Sequence, residues 1–403
     1  MVHWQHILAA TAAASSSLAS NLFVTSYTGT VTTYGLSCSS DNGTITTLTA
    51  QHTDRNCGAS PSWLTLDPAR RILYCLDEGL STPNGSLNSY RVARDGTLTP
   101  ISHFASITGP VSAALYGPPG HRSLAAAHYS GSAVSAWSAP DNATLAPTQQ
   151  IAFTMAAPGP IASRQDAPHE HEAVLDPSGR YLLVPDLGAD LVRVLGFSAA
   201  DKGFLAQRES LKMAPGEGPR HVAFLTEGPA NSTTYMFVVT ELTNTVVSYA
   251  VSYPPNGGMS FREVYRTPSF GTEPVPTGAQ AAEIAVTPDK RFLLVSNRND
   301  TSFSLPNPNP ANSTAEPSDS LATFAISPNG TLAFAALSPA GGRTPRHFQL
   351  NAKGDRVAVA LQDSDRVVVW KRDVRTGRIG EAVARMLVGQ PTSVVWDEAG
   401  CAY

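Results

Sequence analysis

A strand pattern that recurs every roughly 45 to 55 residues, an orphan apolar strand near the end of the chain, and no helix-period segment of useful length together predict one fold. It is an all-β chain folded as a seven-bladed β-propeller, closed by pairing of N- and C-terminal strands in one blade. The chain has 403 residues. Length alone would suggest two or three domains, but all-β architectures often run longer as one unit. The expected organisation is a removable leader over 1–19, a single propeller domain over 20–403, and a loop insertion over 302–320.

The repeat is clearest in 172–197, 283–298 and 347–362, with further copies beginning near Ser62, Val111 and His221. In each, an apolar strand ends in a tight turn and a strand rich in β-branched residues follows. Asp176-Pro177-Ser178-Gly179 and Thr287-Pro288-Asp289-Lys290 place proline at the second turn position, where its fixed φ is already correct. These turns join the innermost strand, A, to the second strand, B. Six blades fit between residues 60 and 388. The seventh is split: 22–52 supply strands B, C and D, and 391–396 supply strand A. That pairing closes the ring and leaves no open sheet edge.

Composition excludes several classes. Charged residues are 15%, hydrophobic residues 42%, and the formal net charge is -4. The chain is globular, and the charge argues against a nucleic-acid partner, which needs a basic face. The apolar and small-residue stretch over 7–19 reads as a secretory leader. It is too short and too polar to span a bilayer, which takes about 20 apolar residues. Asn42, Asn84, Asn142, Asn231, Asn299, Asn312 and Asn329 each open an Asn-x-Ser/Thr acceptor motif. Behind such a leader they predict a secreted, extracellular glycoprotein. Four cysteines allow three pairings. Cys38 and Cys57 bracket one hairpin and are one candidate pair; Cys75, in an apolar run, is a candidate buried free thiol, and the pairing stays open.

Strands A and B are antiparallel neighbours, so the start of A and the end of B lie at the same mouth of the channel. Starts of A supply His169, His171, Arg220, His221, Glu283, Arg346 and His347. Ends of B supply Glu78, His128, Tyr129, Asp186, Glu241, Arg298 and Gln362. Arginines of this set suit forked binding of a carboxylate or a developing oxyanion. His171 is the candidate general acid or base, because its reference pKa is near neutrality. Glu241 is either a base or the group that orients an arginine. His169, His221, Glu283, Arg346, His128 and Glu78 are candidate substrate contacts. His169 and His171 share a face but have no evident third ligand, so no metal or other cofactor is expected. The 302–320 insertion, leaving from this mouth after Arg298, is read either as a mobile lid or as a solvated, glycosylated loop.

Four segments carry a resemblance: 168–190, Gly216-Glu217-Gly218-Pro219-Arg220-His221, 283–298, and Pro345-Arg346-His347-Phe348. Over 22–397 the chain resembles the lactonase family of seven-bladed propellers. That family includes propeller-type 6-phosphogluconolactonases and fungal 3-carboxy-cis,cis-muconate lactonizing enzymes. The resemblance implies an active site of one histidine, two arginines and one glutamate, which fall on His171, Arg220, Arg298 and Glu241. Many relatives carry Asn where this chain has His128.

The expected activity is formation or hydrolysis of a lactone on an anionic small molecule, as an isomerase or a hydrolase. Two other readings stand beside it: a non-catalytic secreted glycoprotein that binds a ligand or partner, and a calcium-dependent sugar lactonase.

Overall fold

A computed structural model describes residues 20–38, 45–198, 203–226, 233–255, 257–307 and 311–398. The leader over 1–19, Asn42, Asn231, Cys401 and the side chain of Cys38 lie outside the described residues. Seven sheets of mainly four antiparallel strands surround a central channel. Blades 1 to 6 span 61–105, 110–152, 174–212, 219–268, 280–339 and 345–387. Blade 7 is the split one. Its strands Ser20–Ser26, Thr30–Cys38 and Ile45–Asp54 are joined by Pro391–Asp397, which lies innermost and pairs with Ser20–Ser26 from Asn21↔Asp397 to Ser26↔Pro391. Asn21 Nδ2 donates to Asp397 at 3.2 Å, and Arg71 of blade 1 pairs with the same carboxylate at 2.5 Å. The ring therefore closes between the two ends of the chain, as the sequence predicts.

The core is divided among the blade-to-blade contacts. Both faces of each middle strand are apolar, because each blade packs against two neighbours. Leu73 and Cys75 face blade 7 through Phe23 and Val395, whereas Ile72, Tyr74 and Leu76 of the same strand face blade 2 through Leu124 and Trp137. Similar clusters fill the other five contacts.

One local feature recurs in the innermost strands. Five of them begin with proline: Pro61, Pro110, Pro219, Pro345 and Pro391. Proline is tolerated there because a strand's first residue need not donate to the ladder. In each of the five the register slips by one just after the proline, leaving Ser62, Val111, Arg220, Arg346 and Thr392 unpaired. Such a bulge bends the strand and re-aims the extra side chain. Blade 5 carries the same slip at Ala282 and Glu283.

The cysteine pairing differs from the candidate pair. Cys57 is bonded to Cys75, eighteen residues away. The segment from blade 7 into blade 1 crosses over strand Ile72–Asp77, and both cysteines are fully buried there. Cys75 is thus the partner that the linker meets, rather than a free thiol.

The insertion is a small hairpin, Phe303–Leu305 paired with Glu316–Ser318. Its base is tied by the fully buried Asp319, which accepts backbone N–H groups from Asn299, Asp300, Thr301 and Thr344. Glu316 pairs with Arg366 of blade 6 at 2.7 Å. The hairpin leans outward on the neighbouring blade and borders a hollow of about 830 Å³ at the rim, lined by Phe303, Phe334 and Ile379. Among the described residues its contacts run to Arg366 of blade 6 and not across the mouth, which is not the posture of a lid.

Candidate active site

Two polar layers meet at one mouth of the channel. The upper layer is built on Glu241, which follows strand Thr234–Thr240 and is 2% exposed. Its carboxylate meets three guanidiniums: Arg298 at 2.8 Å, Arg220 at 3.1 Å and Arg164 at 2.5 Å. Burial works to raise the Glu241 pKa, but Arg298, Arg220 and Arg164 outweigh it and hold it down to about 2. A carboxylate so encased orients the arginines; it is not free to take a proton. Arg220 is also pinned by Nη1 donating to the carbonyl of Ala282 in the next blade. Burial and the nearby Arg298 charge pull Arg220 down to about 9, still charged at neutral pH. Arg220 Nε and Arg298 Nε and Nη2 stay buried without a well-directed hydrogen bond. Arg220 Nε and Arg298 Nη2 nonetheless lie 3.1 and 2.8 Å from Glu241 Oε2, so their charge is matched by that carboxylate.

The lower layer is a chain of histidines around Glu283. His221 Nδ1 lies 2.9 Å from Glu283 Oε1, and His221 Nε2 lies 3.2 Å from His171 Nδ1. The backbone N–H of Ile284 also donates to Glu283 Oε1. Contact with His221 lowers the Glu283 pKa against the opposing effect of burial. On the opposite side His347 Nδ1 accepts from the Val394 N–H, so its proton sits on Nε2, 3.7 Å from Glu283 Oε2. Burial first, then the charges of Arg220 and its neighbours, depress the pKa of His171 far below its usual value. Burial likewise lowers His221, and takes His347 down to about 4. All three rings are therefore neutral at pH 7.

Neutrality fixes the tautomers. Glu283 only accepts, so His221 carries its proton on Nδ1 and offers a lone pair at Nε2. His171 must then donate from Nδ1, and its own lone pair is on Nε2. Among the described residues that nitrogen has no hydrogen-bond partner, and it is not one of the fully buried unpaired atoms, so it keeps some access to the channel. The Trp63 ring packs edge-on against both His221 and His347, at 6.0 and 5.1 Å. Blade 1 reaches blade 4 in this way only across the channel axis.

Of the residues singled out from sequence, His171, Arg220, Glu241, Arg298, His221 and Glu283 come together here. Arg346 and Glu78 meet at 3.7 Å on another side of the mouth, where Tyr27 donates to Glu78 and lies under the Arg346 guanidinium. His169 is one step back: it stacks on Tyr129 at 4.3 Å and bonds Asp166 at 3.1 Å. His128 is not at the mouth, which corrects its assignment as a substrate contact. Its Nε2 bonds Ser135 Oγ at 2.7 Å inside blade 2, and it is fully buried. His128 closes its strand, and an end-of-strand position does not fix which sheet face a side chain takes; this ring turns into blade 2.

Arg164, Tyr27 and Trp63 were missed. Trp63 was findable, since Pro61-Ser62-Trp63 aligns with Pro219-Arg220-His221 and Pro345-Arg346-His347. Arg164 lies outside the blades, and only the length of the connection between blades 2 and 3 hints at it. Among the described residues no three His, Cys, Asp or Glu side chains form a metal-ligand group.

A profile of the family described as "Lactonase, 7-bladed beta-propeller" matches residues 21–396. The chain is 29% identical over 352 residues to the "Probable 6-phosphogluconolactonase" of Arthroderma benhamiae, covering 87% of this chain and 82% of that protein. It is 27% identical over 338 residues to the 6-phosphogluconolactonase of Bacillus subtilis, covering 83% and 86%. The solved periplasmic gluconolactonase of Pseudomonas aeruginosa superposes with a TM-score of 0.74 at 26% identity, over 94% of this chain and 99% of that one. A Bacteroides fragilis structure superposes with a TM-score of 0.78 at 22% identity over 95% and 99%, a likeness in fold. Since the matched region runs from the first strand of the split blade to the strand that closes it, the chain belongs to the lactonase family of seven-bladed β-propellers.

Proposed function

We propose that the protein hydrolyses a lactone of an anionic small molecule, with the sugar lactones named for its relatives as the first substrates to try. The observation that carries this reading is the lone pair of His171 Nε2, held by His221 and Glu283 and lying in the positive field of Arg220 and Arg298. His171 Nε2 takes a proton from water as the water oxygen bonds to the lactone carbonyl carbon. The carbonyl oxygen becomes an oxyanion, whose negative charge the nearby guanidiniums favour. The ring C–O bond then breaks, and the leaving alkoxide takes the proton back from His171. The products are a hydroxy acid and the unchanged enzyme. Four guanidiniums, Arg164, Arg220, Arg298 and Arg346, face the carboxylates of Glu241, Glu78 and Glu283 at this mouth, while burial pushes the Glu172 carboxyl up toward its neutral form. The small surplus of positive charge favours an anion.

We propose also that the protein is exported and glycosylated. Asn84, Asn142, Asn299, Asn312 and Asn329 are all exposed. At Asn142, Asn312 and Asn329 the side-chain oxygen accepts the N–H two residues on, a turn that holds the acceptor outward. A mobility shift on treatment with a glycosidase tests this.

The activity test is hydrolysis of 6-phosphogluconolactone and gluconolactone, with and without chelator, beside the His171→Ala variant. Turnover by the wild type that His171→Ala loses supports the reading. No turnover of lactones, with conversion of 3-carboxymuconate instead, would overturn hydrolysis in favour of cyclisation.

A further inference from the structure

We infer that Arg164 is the residue that selects for an anionic group remote from the bond that breaks; this rests on the lactonase reading above. Arg164 belongs to no blade. It sits on the connection over 153–173 between blades 2 and 3, and the next residue, Gln165, fixes that connection. Gln165 is fully buried, its side-chain oxygen accepts from the Ile161 N–H, and its amide donates to the Leu187 carbonyl. Backbone bonds from Gly159 to Gln165 and from Gln165 to Ile161 close the segment on itself. The guanidinium is thus presented from a rigid support, which limits the ordering entropy lost on binding.

Among the three arginines on Glu241, Arg164 differs in its access to water. Its side chain is 30% exposed, against 2% for Arg220 and 12% for Arg298. Arg220 and Arg298 remain on Glu241 if Arg164 turns part of its fork to a ligand, so the buried carboxylate is never left unpaired. The other partner of Arg164 Nη2 is the Tyr129 hydroxyl at 3.4 Å, a long neutral contact that is cheap to exchange. The Tyr129 ring also packs edge-on against His171 at 5.4 Å. One aromatic ring therefore lies beside both groups. The spacing suits a sugar lactone with its carbonyl at His171 and a phosphate or carboxylate on the far side of the ring at Arg164.

The test compares Arg164→Met and Arg164→Lys with the wild type on 6-phosphogluconolactone and on neutral gluconolactone. It adds direct binding of 6-phosphogluconate by calorimetry. The expected result is a KM for the phosphorylated lactone raised tenfold or more in Arg164→Met, well beyond any change on the neutral lactone, with partial recovery in Arg164→Lys. Equal losses on both lactones, or none on either, would overturn the assignment. If the wild type hydrolyses neither lactone, the lactonase reading fails, and the calorimetry still decides. Weaker 6-phosphogluconate binding in Arg164→Met upholds Arg164 as an anion reader, and unchanged or absent binding in both proteins removes it.

Discussion

His221 Nδ1 sits 2.9 Å from Glu283 Oε1, and this contact decides which nitrogen of His171 carries the proton. The carboxylate holds a proton on the near side of His221, and the far side can then only accept. The relation is one of orientation passed from ring to ring, like the buried acid behind the histidine of a hydrolase triad.

Glu283→Gln should therefore lower kcat on the order of 10²-fold with KM nearly unchanged, since losing the fixed tautomer in a Ser–His–Asp triad costs about 10⁴. His171→Ala should cost about 10²–10⁴, the usual range for a general base. Steady-state kinetics with melting curves would check both. A Glu283→Gln enzyme of full activity would remove the relay.

The pH profile should carry the same imprint. Burial and nearby positive charge depress the His171 pKa, so the base stays unprotonated well below pH 6.5. The acid limb of kcat/KM should lie clearly below the ordinary histidine value. An acid limb centred at 6.5 or above would show that His171 is not held as described.

Stability should also fall on acidification. His128 and His347 are each held down to about 4 in the folded protein, burial being the first cause. Their ordinary value is 6.5, so between pH 6.5 and 4 the unfolded chain binds more protons. Stability is then full above about pH 6.5 and is lost as the pH drops toward 4. Denaturant midpoints across this window should decline, and His128→Gln should flatten part of the slope.

Glu241→Ala should destabilise the protein by about 3–5 kcal/mol, the usual cost of removing one partner from a buried ion pair. Three guanidiniums would be left crowded at one point. Urea unfolding measures this, and added polyanion should recover part of the loss.

Reduction of Cys57–Cys75, or Cys57→Ser with Cys75→Ser, should cost about 3 kcal/mol, since a loop of this length removes roughly that much chain entropy from the unfolded state. Thermal unfolding with and without reductant would show it.

The ring and its closure were legible because the repeat imposes the same alternation and turn chemistry many times over, and a lone strand at 391–397 has only one sheet to join. The site was legible where the repeat itself signals it: Arg220 with His221, and Arg346 with His347, follow proline at the same place in two blades. What failed is instructive. His128 ends a second strand like Arg298, yet its ring turns into the blade, because an end-of-strand position does not fix which sheet face a side chain takes. Arg164 escaped because a connecting segment has no period. Cys75 looked like a core residue, and it is one; its partner comes from a linker whose path no local pattern encodes.

The slip after the first proline does more than bend a strand. Ser62 Oγ donates to the Pro110 carbonyl, Thr392 Oγ1 to that of Pro61 and Arg220 Nη1 to that of Ala282, in each case on the next blade round the ring. A residue released from its own ladder thus fastens its blade to its neighbour, and the ring is held near its axis by side chains that the sheets leave spare.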